Sequence, residues 1–91
     1  MDVTAEFFGR LREKVGGPCM EVNFDGNSLV DLIDAIGQSV ESFGEQLVEG
    51  ERLKNMVKIL VNGKDVTELR GLWTELKDGD RVSFFPPAAG G

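Results

Sequence analysis

The chain has 91 residues, enough for one domain around one core, and no interior stretch is polar or repetitive enough to link two. A hydrophobic share of 41% beside 29% charged residues suits a globular fold, and the single cysteine, Cys19, excludes an internal disulfide and points to a reducing compartment. The net charge of −6 disfavours nucleic acid, and the absence of histidine removes the commonest general base and metal ligand, so neither a metal nor a resident cofactor is expected.

The amino end, Met1-Asp2-Val3-Thr4, lacks the apolar run of a signal peptide or membrane span, so a cytoplasmic protein without a membrane partner is expected. Val3, Ala5 and Phe7 alternate with Thr4, Glu6 and Phe8, which predicts a strand over about residues 2 to 8. A loop through Gly16-Gly17-Pro18 leads to a second alternating run, Cys19 to Phe24, and the two strands read as an antiparallel hairpin. Asp25-Gly26-Asn27-Ser28 then breaks the chain. Ser28 with Asp31 three places on reads as a capping box, and Leu29, Leu32, Ile33, Ile36 and Val40 fall on one side of the helix that begins there.

Between residues 41 and 55, Phe43, Leu47 and Leu53 point to a second short helical segment interrupted by Gly44 and Gly50. Val57, Ile59 and Val61 alternate up to Asn62-Gly63, a pair suited to a tight hairpin turn, and Lys64 to Val66 reads as a brief return strand. Leu69 to Leu76 is expected to cross irregularly, and Lys77-Asp78-Gly79-Asp80 to turn into a last strand, Arg81 to Phe85. Pro86 and Pro87 lack the N–H that a ladder needs, so the chain must leave the sheet there. The order of elements is that of an α+β fold with a mixed sheet and helical material on one face.

Residues 1–85 are thus expected to form the domain and 86–91 a flexible tail. Ala88-Ala89-Gly90-Gly91 carries no branched or charged side chain. Together with the stiff Pro-Pro pair before it, this tail reaches roughly 20 Å from the last strand at about 3.3 Å per residue, thin enough to thread a narrow channel. A terminal carboxylate is a poor electrophile until it attacks the α-phosphate of ATP and becomes an acyl adenylate, from which a sulfur nucleophile displaces AMP to leave a thiocarboxylate. Glycine leaves the reacting carbonyl unobstructed.

Phe7-Phe8-Gly9-Arg10-Leu11-Arg12-Glu13, Val61-Asn62-Gly63, Leu76-Lys77-Asp78-Gly79-Asp80-Arg81-Val82 and the closing Phe84-Phe85-Pro86-Pro87-Ala88-Ala89-Gly90-Gly91 span nearly the whole chain. In these segments the sequence resembles the molybdopterin synthase small subunit (MoaD) and the ThiS-like sulfur carriers, a ubiquitin-like family that includes archaeal small modifier proteins. The resemblance implies a β-grasp fold with the first and last strands parallel and central. It implies that Gly91, after Gly90, is adenylated with ATP by a partner resembling ubiquitin-activating enzymes and then thiocarboxylated. The sulfur would pass to a pterin precursor in the large subunit of molybdopterin synthase, for molybdenum or tungsten cofactor. Three other roles stay open: a modifier joined to lysines of target proteins, a β-grasp interaction domain with an inert tail, and a thiamine-pathway carrier, though chains of that kind look shorter and usually lack the Phe-Phe-Pro-Pro approach. Extra residues around 41 to 55 and 69 to 74 depart from the compact small-subunit pattern. One cysteine excludes a [2Fe–2S] ferredoxin, and the acidic charge opposes an RNA-binding version.

Strand parity predicts a partner surface. With Phe7, Val57, Ile59, Val61, Val82 and Phe84 facing the helix, Phe8, Leu60 and Phe85 point the other way and form an apolar docking patch at the root of Pro86-Pro87-Ala88-Ala89. The alternative is that the 64–76 segment covers them, with Trp73 folded over as a packing residue. Cys19 reads as a structural cysteine, and Arg10, Arg12, Glu13 and Lys14 as a solvated loop.

Overall fold

The computed structural model describes residues 1–87. Strand β1 (Asp2–Phe7) is followed by a short helix α1 (Arg10–Val15), strand β2 (Cys19–Asn23) and helix α2 (Leu29–Gly37). After a 3-10 turn at Gly44–Gln46 come a small hairpin, β3 (Val48–Glu49) with β4 (Arg52–Leu53), then β5 (Lys58–Val61) and β6 (Lys64–Asp65). Two further 3-10 turns, Val66–Glu68 and Gly71–Trp73, lead to β7 (Arg81–Phe85). The main sheet has the order β2-β1-β7-β5-β6, with β1 and β7 parallel in its middle and the other pairs antiparallel. This is the β-grasp arrangement, with the helical material on one face.

Alternation dictates which side is covered. Val3, Ala5 and Phe7 of β1, Val82 and Phe84 of β7, and Ile59 and Val61 of β5 are buried against Leu29, Leu32, Ile33 and Ile36 of α2, with Val40 just beyond it. The helix starts where its cap directs: Ser28 Oγ accepts from the Asp31 N–H at 3.3 Å, while Asp31 Oδ2 accepts from the Ser28 N–H at 3.2 Å. The β5–β6 turn at Asn62-Gly63 has φ of 51° and 85°, the positive pair that a two-residue hairpin matching strand twist requires.

Four expectations need correction. Residues 41–55 hold one 3-10 turn and the β3–β4 hairpin, so Leu53 lies in a strand; Val48 pairs with Leu53 and Glu49 with Arg52. Phe43 and Leu47 plug the core, and Phe43 meets the rings of Phe7 and Phe84 edge-on at 5.7 and 5.5 Å. The return strand ends at Asp65 because its carboxylate accepts from the Thr67 N–H at 2.9 Å and starts the next turn. Helix α1 occupies the loop expected between β1 and β2, its buried Leu11 anchoring it to the core. Val57 is only half-buried at the margin of the core. Among the described residues, no helix is long and apolar enough to cross a membrane.

Candidate functional site

Two strands run out side by side at the same end of the sheet. Phe84 and Phe7 face each other in the parallel β1–β7 register, and the Phe8 N–H donates to the Phe84 carbonyl at 3.1 Å, so the pairing extends one residue beyond β1. Period-two alternation then turns Phe8 and Phe85 to the uncovered face together. Their rings stack with centroids 4.3 Å apart and planes 10° from parallel. Leu60 lies opposite Ser83 and Lys58 opposite Phe85, which puts Leu60 diagonal to the Phe85 ring on that face. The predicted patch is therefore assembled, and all three apolar residues are half-exposed.

The patch has a boundary the sequence did not announce. Arg12 Nε donates to the Phe7 carbonyl at 2.8 Å, and its guanidinium carbon lies 5.3 Å from the centre of the Phe8 ring. A residue expected in a solvated loop thus caps the aromatic stack through a cation–π contact. Its i, i+4 relation to Phe8 was visible, but only a helix at α1 gives that spacing a meaning. Away from the patch the open face becomes polar: Glu6 pairs with Arg81 at 2.9 Å and accepts from Ser83 Oγ at 3.0 Å, and Thr4 Oγ1 donates to Glu21 at 2.7 Å.

Gly9 sets how the chain departs. Its φ is 58°, and a Cβ built there would lie 3.1 Å from Pro86 Cγ, so the turn after β1 packs directly on the first tail residue. Pro86 and Pro87 are half-buried and outside the ladder, as their missing N–H groups demand. Ala88, Ala89, Gly90 and Gly91 lie outside the described residues.

Trp73 does not cover the patch. It is 61% exposed, and its neighbour Thr74 accepts from the Leu29 N–H at 2.9 Å, beside the start of α2. The packing in that crossing is done by Leu72 and Leu76. Cys19 is exposed in the outer strand β2, paired with Glu6 on the open face, so the expectation of a structural cysteine is not met. Among the described residues, no group of three His, Cys, Asp or Glu side chains is placed to hold a metal ion.

The family profile described as ThiS family matches residues 5–91. The small archaeal modifier protein 3 of Haloferax volcanii is 36% identical over 92 residues, covering all of both chains. The sulfur carrier protein CysO of Mycobacterium tuberculosis is 33% identical over 94 residues, again covering all of both. A chain in the crystal structure of the Amycolatopsis orientalis BexX/CysO complex superposes with a TM-score of 0.83 at 32% identity, covering 98% of this chain and 99% of that one. An uncovered aromatic patch at the root of a proline-led tail, on a β-grasp sheet, is thus found in a chain that belongs to the ThiS family, among the ubiquitin-like sulfur carriers and small modifiers.

Proposed function

We propose that this chain is a sulfur carrier activated at Gly91 and that it serves as the small subunit of a molybdopterin synthase. The Gly91 carboxylate attacks the α-phosphate of ATP in an adenylating partner and releases pyrophosphate. A sulfur nucleophile then adds to the acyl adenylate, and AMP leaves with the carboxylate oxygen that bridged to phosphorus. The resulting thiocarboxylate donates its sulfur to a pterin precursor held by the large subunit. In this reading the domain performs recognition and the partners perform the chemistry.

The observation that carries the proposal is the juxtaposition at the tail's root. The Phe8–Phe85 stack and Leu60 offer an apolar surface beside Pro86, which is the place where a partner must grip the domain to receive the residues beyond Pro87. Intact mass spectrometry of the protein from its native host tests it. A mass gain equal to the difference between sulfur and oxygen is expected, and a chain lacking Gly91 should not show it. Its absence in cells that contain the activating enzyme would overturn the carrier reading.

A second reading is favoured by the full-length similarity to a small archaeal modifier protein. There the same adenylate passes to lysine amines of other proteins. Peptide mass spectrometry separates the two, because conjugation leaves Gly-Gly remnants on target lysines and cofactor synthesis does not.

A further inference from the structure

At the tail's root, Pro86 and Pro87 form one wall of a cleft of about 190 Å³ that Phe8, Leu60 and Phe85 do not line. Its other walls are Arg10, Gln46 and Lys54. Each comes from a different element. Arg10 opens α1, Gln46 closes the 3-10 turn after Phe43, and Lys54 comes directly after β4. The Lys54 N–H donates to the carbonyl of the buried Leu47 at 2.8 Å, which ties this basic residue to the core.

Two cations therefore face one small space on a chain whose net charge is −6. No acid lines the cleft. Among the described residues the ion pair is that of Arg81 with Glu6, so Arg10 and Lys54 are not neutralised there. Like charges around one cleft repel until an anion sits between them. The volume selects the anion, since it admits a carboxylate side chain but falls below the roughly 300–1,000 Å³ that encloses cofactor-sized ligands.

We propose that this cleft receives an aspartate or glutamate side chain of the activating enzyme as that enzyme takes up the tail. The inference rests on the carrier reading above and adds a second grip to it. The open face offers an apolar hold on Phe8 and Phe85, and the separate cleft at the same tail root offers an ionic one. An ionic contact at the rim of an apolar interface speeds and orients encounter more than it deepens affinity.

The test is ATP–pyrophosphate exchange by the activating enzyme of the same organism, with full-length chains carrying Arg10→Glu or Lys54→Glu. Each reversal is expected to raise the KM for the carrier about fivefold at about 0.05 M salt and far less at about 0.5 M, where surface charges are screened. The kcat, the KM for ATP and the Tm should stay unchanged, and Arg10→Lys and Lys54→Arg should behave like the unaltered chain. An unaltered carrier KM, with exchange intact, overturns the cleft's role and leaves the carrier reading standing. A raised KM for ATP would mean that the cleft binds phosphate, a lowered carrier KM that it holds the chain's own terminal carboxylate, and a salt-independent rise with a fallen Tm that the fold was damaged. Each of these three overturns the proposal. No exchange with the unaltered chain overturns both readings.

Discussion

Phe8 and Phe85 are stacked, half-exposed and backed by a guanidinium, so the free domain keeps an apolar surface open beside its tail. Stacked pairs add about 0.5–1.5 kcal/mol beyond area burial, and half-burial of the ring adds about 1 kcal/mol, so Phe85→Ala should lower stability by about 1.5–2 kcal/mol. If the proposed carrier role holds, the same substitution should weaken binding to the activating enzyme by about 2–3 kcal/mol, at least roughly thirtyfold in Kd. Calorimetric titration beside a urea melt checks both, and a loss of stability larger than the loss of binding would make the ring a core residue. Gly9→Val places a branched side chain at positive φ against Pro86 and should cost about 1–3 kcal/mol by urea melt. At this scale the sequence was most legible where alternation decides, since parity alone assigned Phe8, Leu60 and Phe85 to the open face. It was least legible where a contact crosses elements. The four-residue spacing of Phe8 and Arg12 carries no meaning until the burial of Leu11 anchors α1, and nothing local exposes Trp73 and Cys19, expected as a packing and a structural residue.

Helix α2 shows how an element is written into neighbouring residues. Asp31 accepts from the Asn27 N–H, the Ser28 hydroxyl and the Ser28 N–H, and these bonds, the Asn27 N–H foremost, hold its carboxyl below the usual carboxylate range. A carboxyl depressed by folding stabilises the native state at pH values above its unfolded pKa, and that contribution is lost as pH falls through the lower folded value. Asp31→Asn should therefore destabilise the domain at neutral pH, with the difference from the unaltered chain shrinking below about pH 4. Ser28→Ala removes the other half of the cap and should cost about 1 kcal/mol. Urea melts across pH measure both. This cap, the helix face and the Asn62-Gly63 turn were readable because each depends on residues within a few positions. Residues 41–55 were not, because Phe43 and Leu47 carry helical spacing while their conformation is set by the Phe7 and Phe84 rings far away in sequence. Helix α1 escaped for the same reason, being too short to stand without the burial of Leu11.

For the molecule as a whole, the three-ring cluster of Phe7, Phe43 and Phe84 joins both central strands to the 41–55 segment. Phe84→Ala should cost about 3–5 kcal/mol, a large share of the roughly 5–15 kcal/mol that holds a domain together, and should broaden the near-ultraviolet dichroism of the aromatic core before the far-ultraviolet signal falls. The central place of β7 has a further consequence for how such a chain is made. Ser83 donates to Glu6 across 77 positions, so the middle of the sheet cannot close until nearly the entire domain has been synthesised. A product truncated before β7 loses the centre of the sheet, not an edge, and stays unfolded, open to proteases, with no Phe8–Phe85 stack to display. Any molecule folded well enough to be recognised has therefore been translated through the strand that leads into its tail. Completion of the sheet thus reports on completion of the message: a domain that displays the Phe8–Phe85 stack has been read at least through the strand at its centre.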